Sequence, residues 1–168
     1  MNNSIQQTIV ELRGYCRTQG RTLGVAESLT GGRIQSLITS VSGASDFFRG
    51  GMTAYHIDTK VALLAVDREV AAACNCVSQA VAEQMSAGIC RSMSTDFGIA
   101  TTGYAQPDPS LGITTPFAYV AGYRASANLE SGGTVIFSER IEANGDRFQV
   151  QTAIAEATIC RLRDWLVE

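Results

Sequence analysis

Val25-Ala26-Glu27-Ser28-Leu29-Thr30-Gly31-Gly32 leads from a short apolar stretch, residues 22–26, through small and hydroxylated residues into the helical spacing of Ile34, Leu37, Ile38 and Val41. The run reads as a strand, a tight turn and a helix, with residues 28–32 at the helix N-terminus. The first N–H groups of a helix lack intrahelical acceptors and attract anions or a developing oxyanion. A purely local reading also fits: Ser28 or Thr30 caps the helix, and the glycines permit the turn.

Working outward, Ile5, Ile9, Leu12 and Cys16 recur at helical spacing over residues 4–19, with Gly20 as a stop. Residues 49–55 read as a second strand, and Asp58 opens a short helix through Lys60, Leu63 and Leu64. Ser78 is a good N-cap for a helix over 79–94, whose Val81, Met85, Ile89 and Met93 form one stripe suited to core packing. Residues 97–102 form a strand, followed by a loop holding all three prolines, Pro107, Pro109 and Pro116. Strands over 117–124 and 134–141 are joined by a hairpin-like connection at 126–133. Asn144-Gly145-Asp146 turns into the last helix, with Asp146 as N-cap and Phe148, Ala155, Ile159, Leu162 and Leu166 inward. Alternating helices and strands followed by a hairpin and a closing helix predict an α/β layered domain with a mixed sheet. No internal repeat or linker divides the chain, so one domain over 1–168 is expected.

A serine hydroxyl is a weak nucleophile and needs a base. Gly50-Gly51-Met52-Thr53-Ala54-Tyr55-His56-Ile57-Asp58-Thr59-Lys60 brings a tyrosine, the single histidine and a lysine from a second segment. A Ser-His-Asp triad would rest on His56, yet neighbours in a strand face opposite ways, which sets Tyr55 and His56 apart. Lys60 is therefore the preferred base, because a desolvated lysine, or one beside another cation, loses its proton more readily. Each residue has a plain structural alternative. Lys60 as a solvated helix residue, Tyr55 as a core ring with its hydroxyl satisfied, and Glu27 as a partner of the helix dipole all fit the pattern. Arg147, at a helix start, suits either a phosphate or an acidic neighbour.

The combination AES-x-TGG at 26–32, GG-x-x-AY-x-x-x-x-K at 50–60, Thr102-Gly103-x-Ala105-x-Pro107 and Gly145-Asp146-Arg147 resembles the CinA C-terminal domain family. The active members of that family are nicotinamide-nucleotide amidohydrolases of the PncC type. The resemblance runs from about Glu11 to Leu166 with the motifs in family order, and this chain looks like the stand-alone form. It implies a three-layer α/β/α sandwich with a mainly parallel sheet, and no cofactor. It matches Ser28 to the nucleophile and Tyr55 and Lys60 to its catalytic partners. Substrate-binding candidates are Glu27, Thr30, Gly31, Gly32, Thr102, Gly103 and Arg147.

The implied reaction converts nicotinamide mononucleotide and water to nicotinate mononucleotide and ammonia. Backbone N–H groups of residues 30–32 or 102–103 are the candidates for the oxyanion. Where the family has TG-x-AGP-x-GG and later KPVG, this chain reads Thr102-Gly103-Tyr104-Ala105-Gln106-Pro107-Asp108-Pro109-Ser110 and Thr115-Pro116-Phe117-Ala118. Gln106, Pro109 and Ser110 stiffen a loop that glycines would leave free to approach a phosphate. Two further readings stand beside the amidohydrolase: a non-catalytic or regulatory nucleotide-binding protein, and an amidase or esterase with another small substrate.

Composition narrows the partners. With 168 residues, a formal net charge of −3 and 13 Lys plus Arg, the chain carries no broad basic field for nucleic acid. A small phosphorylated substrate needs only a local site. Five cysteines, an odd number without a C-x-x-C pair, read as reduced thiols of a cytoplasmic protein. Cys74-x-Cys76 has the wrong spacing for a zinc knuckle and His56 is remote from it, so no metal is expected. The start of the chain lacks the charged and apolar regions of a signal peptide. No apolar run approaches the roughly 20 residues that span a bilayer, so no membrane association is expected. A homo-oligomer is expected, since symmetric self-association is common.

Overall fold

The computed structural model describes residues 3–126 and 132–167. Its elements are α1 (Asn3–Gln19), β1 (Leu23–Glu27), α2 (Arg33–Thr39), β2 (Phe48–Thr53), α3 (Ile57–Leu64), α4 (Arg68–Ala73), α5 (Gln79–Met93), β3 (Phe97–Tyr104), β4 (Phe117–Ala125), β5 (Gly133–Glu142) and α6 (Arg147–Val167). The five strands lie in the order β2-β1-β3-β4-β5. β1 is parallel to β2 and β3, whereas β4 is antiparallel to both β3 and β5. Four strands therefore share one direction, which gives the mixed, mainly parallel sheet.

The period-two pattern of the buried strands builds the layers on either side. Leu23 and Val25 of β1, with Phe97 and Ile99 of β3, pack against Ile9 and Leu12 of α1, Ile34 and Ile38 of α2, and Ile159 and Leu162 of α6. Ala26 and Ala100 face the other way, onto Val81, Met85 and Ile89 of α5 and Leu64 of α3. Every residue of β1 is buried, as expected for a strand covered on both faces. The α5 side of the sheet is built from small residues so that the helix lies close. A Cβ on Gly98 would come within 2.2 Å of the Ser86 carbonyl oxygen.

This topology positions the site. From β1 the chain crosses through α2 to β2 on one side, then returns through α3, α4 and α5 to β3 on the other. The gap beyond the C-terminal ends of β1 and β3 is thus a topological switch point, where open α/β sheets bind ligands. Ser28, Ala54 and Tyr55 follow the ends of β1 and β2, while Thr102 and Gly103 lie near the C-terminal end of β3.

Several local expectations need correction. β2 stops at Thr53, so Tyr55 and His56 lie in the connection to α3 and the alternation of a strand does not separate them. Helix α4 has no counterpart in the sequence reading; Asp67 caps it by accepting the Val70 N–H at 2.9 Å. Phe148 is not inward: it is exposed, with the Arg33 guanidinium 4.7 Å above its ring, and Val150 and Ile154 take the buried positions. Residues 127–131 of the expected hairpin connection lie outside the described residues. All five cysteines are free thiols, and burial pushes Cys16 up to about 12 and Cys90 up to about 11. Among the described residues no helix is long and apolar enough to cross a membrane.

Candidate active site

The turn after β1 is held from beneath by Glu27. Its fully buried carboxylate accepts the N–H groups of Gly32 at 3.0 Å, Ile34 at 3.2 Å and Gln35 at 3.0 Å, and the Gln35 side-chain amide at 3.1 Å. A carboxylate at a helix N-terminus satisfies orphan donors and complements the dipole. Glu27 therefore serves as the cap of α2, with its oxygens engaged in the turn and not with a ligand.

Neither hydroxyl residue of the turn caps the helix. The Thr30 and Thr101 hydroxyls share a buried hydrogen bond of 2.8 Å, which ties the turn to β3. Gly31 and Gly32 adopt φ of 59° and 95°, in the left-handed region that favours glycine. Gln151 of α6 donates its buried side-chain amide to the Leu29 carbonyl at 2.6 Å, a tether that the sequence reading did not single out. These contacts leave the Ser28 hydroxyl free of capping work.

Ser28 is 8% exposed, and its backbone N–H donates to the Thr101 carbonyl at 3.0 Å. Lys60, from the first turns of α3, is 1% exposed. Its Nζ donates to Ser28 Oγ at 3.0 Å, to the Ala54 carbonyl at 2.7 Å and to the Tyr55 carbonyl at 3.2 Å. The Ala54 N–H in turn donates to the Glu27 carbonyl at 2.8 Å, so the two segments that meet at the serine are locked together. Among the described residues Lys60 forms no ion pair. Burial pushes its ammonium below the usual lysine range, with the neighbouring Cys76 thiol opposing the shift.

A cleft of about 320 Å³ opens over this pair, walled by Tyr55, His56, Asn75, Cys76, Thr102 and Gly103 among others. The Cys76 wall comes from the turn after α4 and was not foreseen; the Thr102 hydroxyl holds it by donating to the Cys76 carbonyl at 2.6 Å. The lining thus includes both Tyr55 and His56. His56 is occupied as the cap of α3, its Nδ1 accepting the Asp58 N–H at 3.2 Å. Tyr55 reaches Lys60 through its carbonyl only. Its exposed hydroxyl instead accepts from Arg147 Nη2 at 2.9 Å.

A second cleft of about 170 Å³ continues the groove, sharing Leu29, Tyr55, Gly103 and Tyr104 with the first and adding Gln106, Asp108 and Arg147. The structure therefore brings Ser28, Lys60, Tyr55, Thr102, Gly103 and Arg147 to one groove, and places Glu27 and Thr30 behind it as supports. Among the described residues no three His, Cys, Asp or Glu side chains gather in a metal-binding group.

A three-layer α/β fold with a buried serine and lysine in contact at its switch point defines the class of protein. A family model for the CinA C-terminal domain matches residues 3–166. The chain belongs to that family. It is 37% identical over 163 residues to a CinA-like protein of Rippkaea orientalis, covering 95% of this chain and 38% of that protein. It is 38% identical over 147 residues to a CinA-like protein of Microcystis aeruginosa, covering 88% and 34%. The matched stretch spans between about a fifth and two fifths of the length of these and similar curated relatives. Among solved structures, the competence-damaged protein (CinA) superfamily protein of Enterobacter cloacae superposes with a TM-score of 0.87 at 24% identity, covering 99% of this chain and 95% of that one. A competence/damage inducible protein of Agrobacterium tumefaciens gives a TM-score of 0.82 at 23% identity, covering 98% and 97%. At such identities the structural likeness speaks to the fold alone.

Proposed function

We propose that the chain is a nicotinamide-nucleotide amidohydrolase, acting on nicotinamide mononucleotide through Ser28 as nucleophile and Lys60 as base. The observation that carries this reading is the 3.0 Å contact between Lys60 Nζ and Ser28 Oγ in a buried setting, with no ion-pair partner for Lys60 among the described residues. Family membership supports it, because the active members that the sequence motifs resemble carry out this reaction.

In the proposed reaction Ser28 Oγ attacks the carboxamide carbon while its proton passes to Lys60. The tetrahedral intermediate collapses, Lys60 returns the proton to the leaving nitrogen, and ammonia departs. Water, deprotonated by Lys60, then cleaves the acyl-enzyme to nicotinate mononucleotide and regenerated Ser28. Oxyanion donors are best sought in the turn itself. The Gly31 N–H is spent on the Ser28 carbonyl and the Gly32 N–H on Glu27, whereas the Leu29 and Thr30 N–H groups meet no acceptor among the described residues. One such donor is worth about 3 kcal/mol in comparable sites. Tyr55 enters as a wall of the groove and a holder of Lys60, not as a proton relay.

Ammonia release from nicotinamide mononucleotide, with nicotinamide and glutamine as controls, tests the reading. Release from the nucleotide alone supports it. Release from a control amide and not from the nucleotide replaces it with another amidase, and binding of the nucleotide without release from any amide replaces it with a binding protein.

A further inference from the structure

Arg147 starts α6 immediately after a reciprocal cap. Asp146 Oδ1 accepts the Gln149 N–H at 2.9 Å, and Gln149 Oε1 accepts the Asp146 N–H at 2.9 Å. That box fixes the root of the arginine. Its fork then closes on two neutral acceptors, Gln106 Oε1 at 3.2 Å from Nη1 and the Tyr55 hydroxyl at 2.9 Å from Nη2. Among the described residues it makes no ion pair. Asp108 shares the cleft, but its Oδ1 is turned into its own loop, accepting the Ser110 N–H at 3.0 Å and the Ser110 hydroxyl at 2.6 Å.

We infer that Gln106 is a specificity-determining residue: its carboxamide oxygen occupies the Arg147 fork as a neutral stand-in that an anionic substrate group must displace. Hydrogen bonds to a charged acceptor are about twice as strong as neutral ones. A phosphate monoester or carboxylate therefore gains by the exchange, while a neutral hydroxyl or amide trades like for like. The parts suit such an exchange. Gln106 is exposed and free to turn away, whereas the loop behind it is pinned by paired hydrogen bonds of 2.9 Å between Asp108 and Ile113. The Tyr55 hydroxyl keeps the guanidinium aimed at the groove when Gln106 leaves. The inference deepens the amidohydrolase reading and rests on it for the identity of the substrate, but the competition itself concerns only an anion.

The test is isothermal titration of the full chain with ribose 5-phosphate, and with ribose as the uncharged control. Q106A should bind ribose 5-phosphate roughly threefold to tenfold more tightly than wild type, the range of one neutral hydrogen bond. Q106E, which places a carboxylate on the same fork, should weaken binding by about tenfold or more. Both effects should vanish when the substitutions are made on R147Q. Shifts in the same direction for Q106A and Q106E, shifts that persist on R147Q, or no binding by either wild type or Q106A would overturn the inference. Ammonia release by the same preparations separates the two readings. Opposite shifts without ammonia release refute the amidohydrolase alone, and ammonia release with unaltered binding refutes the role of Gln106 alone.

Discussion

Lys60 Nζ lies 3.0 Å from Ser28 Oγ, while its other two hydrogen-bond directions end on the carbonyls of Ala54 at 2.7 Å and Tyr55 at 3.2 Å. A neutral amine has two N–H bonds and one lone pair. With both N–H bonds held by backbone carbonyls, the lone pair is left facing the serine hydroxyl. The geometry thus serves the ammonium and the amine alike, and deprotonation turns a donor toward Ser28 into an acceptor from it.

Lys60→Arg tests this directly, since a guanidinium keeps the charge but does not give up its proton. Turnover of nicotinamide mononucleotide should fall by about 100-fold or more, the usual loss with a general base, with KM little changed. Substantial retained turnover would assign Lys60 an anchoring role.

The pH dependence has a defined sign. Burial lowers the folded pKa of Lys60 below the 10.5 of an exposed lysine. The rate should therefore rise with pH through that lowered value, as the amine becomes available. Stability moves the same way. Between the folded pKa and 10.5 the unfolded chain holds a proton that folded Lys60 has released, so unfolding free energy increases with pH across this window. Below it the cost of burying the charge is borne in full. Urea unfolding of wild type and Lys60→Met at about pH 7 and about pH 10 should show wild type gaining on the variant at the higher pH. No gain of wild type on the variant between the two pH values, or a loss, would contradict the depressed pKa.

The strand, glycine turn and helix around Ser28 and the short helix that carries Lys60 were legible because each rests on a local pattern, whereas the meeting of the two across 32 residues was expected from the need of a serine for a base and from the family resemblance. An apolar run enters a glycine turn and α2, and a lysine stands in the first turns of α3. What sequence did not disclose depends on long-range contacts. The Gln151 amide reaches the Leu29 carbonyl across 122 residues, and Thr102 fixes the Cys76 wall across 26. Helix α4 escaped notice because six residues give too short a period, although Asp67 before it is an ordinary cap signal. His56 was excluded by a strand argument that fails once β2 ends at Thr53. It is set aside instead by its work as the cap of α3.

Glu27→Gln should destabilise the fold by about 2 kcal/mol or more, because a buried charged acceptor of three N–H groups becomes neutral and turns an amide toward donors. Chemical denaturation reads the loss. Ser28 sits next in the chain, so turnover should also fall at temperatures where the variant remains folded. Unaltered stability would show that the α2 N-terminus does not depend on the carboxylate.

Gly103 is fixed by close passage and not by its dihedral angles. A Cβ there would meet the Phe117 carbonyl oxygen at 2.2 Å and Ala118 Cα at 2.6 Å. Gly103→Ala must part β3 from β4, at a cost of about 1–3 kcal/mol in thermal or urea unfolding. A variant as stable as wild type would place the strands farther apart than described.

The most direct test of the central claim is the rate of ammonia release from nicotinamide mononucleotide by Ser28→Ala beside wild type. The substitution removes one hydroxyl and one hydrogen bond, a stability change of about 1 kcal/mol, and leaves Lys60 on its two carbonyls. Circular dichroism should report an unchanged fold, and ammonia release should drop to the uncatalysed background. A folded Ser28→Ala protein that releases ammonia at the wild-type rate would contradict a serine nucleophile and, with it, the function assigned to this groove.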